Sequence, residues 1–227
     1  MADNQEKGIT DVEASVLNTY SKAEHYIMNN KQTVTYIGTG LLVIVLGIIG
    51  FMWWKGNREK DAQAKMYQAQ LWFEADSFKL AINGDAAHYG FKKIKDKFGM
   101  TKASNLCNYY LGVCYLKTGE PKTALEYLKS FSSSEEMAQS QAYSMTGDAY
   151  SETNDMKSAI DFYNKAANNI DNEMFTPFYL LKAGMAMEHE KNFKEAKAAY
   201  QKIKDNYPTS QVGRMADAYI ARCEAQL

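Results

Sequence analysis

Phe91-Lys-Lys-Ile-Lys-Asp-Lys-Phe98-Gly99 returns 109 residues later as Tyr200-Gln-Lys-Ile-Lys-Asp-Asn-Tyr207-Pro208. Two weaker copies fall between them on the same frame. Gly112, Gly147 and Gly184 each precede an alanine by twelve residues (Ala124, Ala159, Ala196), and each alanine precedes a large residue by four (Leu128, Tyr163, Tyr200). Ala87 and Phe91 extend the series backwards, so the large positions 91, 128, 163 and 200 are separated by 37, 35 and 37 residues. A small residue lets two helices of a hairpin approach, and a large one fills the groove that the approach leaves.

That period and that pairing fit the tetratricopeptide repeat, a helix–turn–helix unit of ~34 residues. Tyr115 and Tyr150 take the aromatic position of the first helix, and Met187 departs from it. Gly119-Glu120-Pro121 stops one helix and starts the next; Asn154-Asp155 and Lys191-Asn192 are the equivalent turns, and Pro208 ends the last unit. Hairpins are expected at about 61–99, 101–135, 136–171 and 174–208. The first opens on a helix from Asp61 to Ala81 with Met66, Leu71, Trp72, Ala75, Phe78 and Ala81 on its apolar side. A capping helix from Ser210 or Gln211, turning Met215, Ala218, Tyr219 and Arg222 inward, would cover the open end of the stack. Only three prolines interrupt a chain rich in Ala, Lys, Glu, Met, Gln and Leu, so the expected fold class is all-α.

Upstream, Val34 to Trp54 holds 21 residues without a charge, between Lys31 and Lys55. As a helix rising ~1.5 Å per residue it matches the thickness of a bilayer's hydrocarbon core. Tyr36, Trp53 and Trp54 stand where an aromatic belt meets the headgroups. Bulky Phe51 to Trp54 occupy the place where a cleavable signal peptide needs small residues, so the segment reads as a retained single-pass transmembrane anchor. Gly40, Val43, Ile44 and Gly47 share one face, flanked by Gly50, and small residues there let another membrane helix come close. The domains are thus 1–33, a tail that is polar and disordered to residue 10 and then an amphipathic helix; 34–54, the anchor; and 55–227, the repeats. The tail helix, capped by Thr10 or Asp11, would align Val12, Val16, Tyr20, Ala23 and Ile27, as an interfacial or docking helix does.

Composition excludes several functions. Net charge is −1, which removes nucleic acid as a partner. Cys107, Cys114 and Cys223 lack disulfide or metal spacing and read as buried packing residues. His25, His88 and His189 are scattered; Glu188-His189-Glu190 has no second His one turn on, and no nucleophile elbow or phosphate loop occurs. No catalytic, cofactor-binding or metal-ligating residue is expected, and the chain reads as a non-enzyme. Binding is the expected activity. First helices line the concave side of such arrays, which places Trp72, Leu106, Tyr109, Val113, Leu116, Phe178, Leu181 and Met185 along a partner or client groove. Gln141, Ser144, Asp148 and Glu152 would form its polar, acidic centre.

A short tail, an anchor with a glycine face and a Trp-Trp border, and a short repeat array together resemble the YfgM family of ancillary SecYEG translocon subunits. The stretches Leu71–Asp85 and Asn108–Glu120 look like its Bacteroidota version. The resemblance implies an inner-membrane protein with its repeats in the periplasm. There it would work beside a PpiD-like chaperone at the translocon and meet secretory client polypeptides. It transfers no catalytic motif and no cofactor. The charge count points the other way: Lys22 and Lys31 precede the anchor, whereas Lys55, Arg58, Lys60 and Lys65 follow it, and the positive-inside rule would leave the repeats cytoplasmic. A general envelope scaffold for outer-membrane or surface-machinery assembly and a cytoplasm-facing tetratricopeptide adaptor are the alternative readings.

Overall fold

The computed structural model describes residues 2–227, with side chains from Val16 onward. It divides into two compact units, Met1–Gly56 and Asn57–Leu227. In the first, α1 (Ala2–Asn29) is helical from its second residue, so the disordered start and the caps at Thr10 or Asp11 are not what forms; the Val12 side chain lies outside the described residues. Val16, Leu17, Tyr20 and Ile27 of this helix are exposed. After Asn30, α2 runs from Lys31 to Glu74 and contains a window of mean hydropathy 2.2, long and apolar enough to cross a membrane. Its apolar side chains from Tyr36 to Trp54 are all exposed, a contiguous apolar surface of the kind that marks a membrane or partner contact. Thr35 and Thr39 satisfy their hydroxyls within the helix: Thr35 Oγ1 donates to the Lys31 carbonyl at 2.7 Å, and Thr39 Oγ1 to the Thr35 carbonyl. A Cβ added at Gly40, Gly47 or Gly50 would meet nothing within 4 Å, so that face is open.

The second unit is a row of helix pairs. Residues 57–74 of α2 lead into α3 (Phe78–Asn83) and α4 (Phe91–Lys97). Then come α5 (Lys102–Lys117) with α6 (Pro121–Ser130), α7 (Glu136–Glu152) with α8 (Met156–Asn169), and α9 (Thr176–His189) with α10 (Phe193–Asn206). A 3-10 turn (Gly213–Met215) and α11 (Ala216–Glu224) close the row. From α4 onward each helix packs on the next, as in a stack where every unit touches only its neighbours. The turn inside each hairpin has one residue in the left-handed region: Asp76 (φ 53°), Gly119 (78°), Asn154 (62°) and Lys191 (59°). Side chains start several of the helices. The Ser104 amide donates to Thr101 Oγ1, the Ser158 amide to Asp155, and the Glu195 amide to Asn192.

The repeating small–large contact is visible in the packing. A Cβ on Gly112 would lie 2.4 Å from Leu128 Cγ, on Gly147 2.5 Å from the Tyr163 ring, and on Gly184 2.4 Å from the Tyr200 ring. Ala124, Ala159 and Ala196 are fully buried beside them. The core is therefore three successive apolar clusters along the row: one around Phe91, Ile94 and Leu111, one around Leu116 and Leu128, and one from Ala159 to Cys223.

Three expectations are corrected here. The first helix stops at Glu74, not Ala81, because Asp76 turns the chain. Its partner is split: the small position is Ala81, fully buried, whereas Ala87 is exposed in an inserted loop. That loop closes through a single bridge between Gly84 and Tyr89, with Asp85 Oδ1 accepting from the amides of Ala87 and His88. The capping helix begins only at Ala216 and buries Ala216, Ile220 and Cys223; of the residues expected to turn inward, Tyr219 packs against Tyr200 at 5.1 Å and Arg222 reaches Glu188, whereas Met215 and Ala218 are exposed. The tighter 3-10 turn, with ~3.0 residues per turn, rotates the phase of everything after it.

Candidate partner-binding surface

The eight residues expected to line a groove separate into three groups. Val113 and Leu116 are buried, and Leu116 belongs to the central cluster with Leu128 and Ala149. Both are core, Leu116 joining hairpins two and three, which corrects their assignment to an open groove. Trp72, Leu106 and Leu181 are half-buried at the margins of the outer clusters, Trp72 meeting His88 edge-on at 6.1 Å. Tyr109 is intermediate. Its ring packs against Phe131 at 5.6 Å and Tyr110 at 5.9 Å, and burial, with the phenols of Tyr110 and Tyr179 nearby, pushes its hydroxyl up to about 12. Phe178 (39 % exposed) and Met185 (53 %) remain open. They lie two turns apart on one face of α9.

The centre also differs from the expected acidic strip. Ser144 is buried. Asp148 is neutralised from the next hairpin, with Lys182 Nζ 2.9 and 2.8 Å from its two oxygens, while Tyr163 donates to it at 2.8 Å. Lys182 also reaches Ser144 Oγ at 3.2 Å. Sequence reading missed Lys182; the signal was a lone basic residue between the groove residue Leu181 and the close-packed Gly184. A shallow depression of about 270 Å³ borders this pair, lined by Ser151, Met156, Tyr163, Lys182, Met185 and His189 among others. Two buried groups, Tyr179 Oη and Asn108 Oδ1, lack a protein hydrogen-bond partner. The surface is thus amphipathic: exposed Met and Phe beside a fixed ion pair. It can grip a peptide or helix.

The other titratable clusters serve the fold. Glu188 accepts from Tyr200 Oη at 2.6 Å and from Arg222 at 2.7 and 2.9 Å, tying α9, α10 and α11 together. Burial raises its pKa, but the bonds from Arg222 and Tyr200 outweigh that and leave it lowered. Burial pushes the Cys107 and Cys114 thiols up to about 12, and all three cysteines are free. Among the described residues no three His, Cys, Asp or Glu side chains are grouped so as to hold a metal ion.

The tetratricopeptide repeat family matches residues 107–134 and 179–210, and a second tetratricopeptide description matches 140–169. The domain carries tetratricopeptide repeats. These segments coincide with hairpins two, four and three, where the glycine–large contacts were found. Among solved structures the chain is similar to a crystal structure of MamA protein. That likeness has 20 % identity, spans 73 % of this chain and 87 % of that one, and has a TM-score of 0.54. A second MamA crystal structure shares 20 % identity over 60 % of this chain and 84 % of that one, at a TM-score of 0.45. The first likeness speaks for the fold alone. No curated protein matches the chain. Tetratricopeptide repeats are protein–protein interaction scaffolds, and protein partners are what this fold implies.

Proposed function

We propose that this chain is a membrane-anchored, non-enzymatic scaffold of the YfgM type. In this reading it sits at the SecYEG translocon with its repeats in the periplasm, holding a PpiD-like chaperone or emerging secretory clients near the exit. The observation that carries the reading is the combination within one chain of an exposed apolar span and a tetratricopeptide array with an open Phe178–Met185 face. Tethering sets the mechanism. A weak contact suffices when the anchor confines the array to the neighbourhood of its partner, because the effective concentration of a tethered module reaches ~mM.

A photo-crosslinking residue at Met185 in intact cells tests it. Adducts with translocon subunits, a periplasmic foldase or secretory precursors are expected, and they should fade in the Phe178→Ser variant. Adducts confined to cytoplasmic proteins would overturn it. A second reading, a cytoplasm-facing adaptor, is favoured by the excess of Lys and Arg after the anchor. Because the native cysteines are buried, a Lys194→Cys variant separates the two. Labelling by an impermeant maleimide once the outer membrane is opened supports the periplasmic side; labelling only after lysis supports the adaptor.

A further inference from the structure

The charges of the repeat region are unevenly divided. Residues 55–102 hold ten basic and six acidic residues, whereas 103–227 hold thirteen and sixteen. The structure concentrates the excess. Lys65, Lys93 and Lys97 all approach the Tyr89 ring, at 5.4, 4.1 and 5.2 Å from its centroid, and Lys97 Nζ donates to Tyr89 Oη at 3.2 Å. Those ammonium groups hold the phenol below its ordinary value, the Lys97 bond foremost. Asn83, Lys92, Lys93, Asp96 and Lys97 rim an open depression of about 460 Å³. Among the described residues Lys92, Lys93, Lys95 and Lys97 form no salt bridge, although Asp96 lies on the same helix. Elsewhere lysines do pair: Lys182 with Asp148, Lys197 with Glu224, Lys204 with Asp217. Gathering several lysines around the single carboxylate of Asp96 costs stability unless an anion offsets them.

The tip beside this cluster is apolar. Met100, held at φ 66° and 67 % exposed, stands between Lys97 and Lys102. The tip is also tied to the start of the repeat unit. Arg58 donates to the Lys97 carbonyl and lies over the Phe98 ring at 5.5 Å, while Glu59 accepts from the amides of Lys102 and Ala103. Arg58 is four residues beyond Trp54, and four residues span at most ~14 Å in any conformation. That is comparable to the ~5–8 Å headgroup layer plus one Debye length of ~8 Å at physiological salt.

We infer that α4 and the Gly99–Met100 tip form a membrane-docking surface for anionic phospholipid headgroups. Lys92, Lys93 and Lys97 of α4 face the lipid phosphates and Met100 enters the interface. This rests on the anchor reading of Val34–Trp54.

The test places the full chain in nanodiscs of phosphatidylcholine, or of phosphatidylcholine with one third phosphatidylglycerol, and measures amine-reagent labelling by mass spectrometry. Lys92, Lys93, Lys97 and Lys102 should label about fivefold more slowly in the anionic discs, the factor that one basic residue's attraction to such a surface gives. Lys122, Lys157 and Lys194 should be unchanged. In 1 M salt, where the Debye length is ~3 Å, the difference should vanish. The combined K92E, K93E and K97E variant, exposed on a helix that keeps its buried face, should label Lys102 equally in both discs. Equal labelling of wild type in the two discs overturns the docking surface and leaves the anchor intact. Inorganic phosphate reproducing the protection in neutral discs overturns it in favour of a free-anion site. Failure of the chain to enter discs at all overturns the anchor, and this inference with it.

Discussion

Replacing Gly184 by alanine tests the packing rule on which the repeat assignment rests. In an isolated helix the change is favourable by about 1 kcal/mol. Here the new Cβ would sit 2.4, 2.7 and 3.0 Å from Cε1, Cζ and Oη of Tyr200, a fully buried ring. The ring can withdraw only by breaking its 2.6 Å bond to Glu188, which Arg222 of α11 also holds. Overpacking of this kind costs about 1–3 kcal/mol. Losing a hydrogen bond to a charged partner costs about 1.5–3 kcal/mol. Against the helix gain, the net expectation is a loss of about 1.5–5 kcal/mol, concentrated in hairpin four and α11. The assay is urea-dependent hydrogen exchange of the full chain in mild detergent, since a repeat array need not unfold as one unit. Gly99→Ala, where a Cβ meets nothing within 4 Å, is the control and should change little. Adding Tyr200→Leu to Gly184→Ala should recover part of the loss. If Gly184→Ala proves as stable as the parent, or more so, the small–large contact is not what locks the hairpins.

Further outcomes follow from the same contacts. Glu188 has a folded pKa below its ordinary 4.5. Its contribution is therefore present above that value and lost as pH falls through the lowered one. Hydrogen exchange of α11 should accelerate below about pH 4, and Arg222→Gln should remove most of that acid dependence. Cys107 and Cys114, buried and held near 12, should resist maleimide at pH 7 in the folded chain and react fully in urea; rapid native labelling would contradict their burial. The open glycine face of the anchor predicts that Gly47→Leu reduces recovery of a membrane partner without altering the repeat domain's circular dichroism. Unchanged recovery would remove that face as a packing site.

The parts of the fold legible in the sequence were those set by residue size and spacing. Gly112, Gly147 and Gly184 announced the close approaches, and Leu128, Tyr163 and Tyr200 the residues that fill them. The first hairpin was harder because its small and large positions, Ala81 and Phe91, are separated by an inserted loop. Counting four residues back from Phe91 therefore landed on exposed Ala87. The left-handed turn residues Asp76, Gly119, Asn154 and Lys191 mark the true register, and a search for Asp, Asn or Gly ahead of each second helix would have found three of the four. Groove residues were only partly legible, since helical spacing says which face a side chain occupies and not how near the neighbouring hairpin lies. Val113 and Leu116 are buried, Leu116 against the neighbouring hairpin, whereas Phe178 and Met185 stay exposed. The pairing of Asp148 with Lys182, 34 residues apart in sequence, depends on how two hairpins stack and leaves no local pattern.

The most direct measurement is native purification of the full chain from membranes in mild detergent, with mass spectrometry of what co-elutes. The account predicts that the chain stays in the membrane fraction through carbonate washing and elutes with SecYEG subunits and a periplasmic foldase. Recovery from the soluble fraction, or elution from membranes without any translocon subunit, would contradict it.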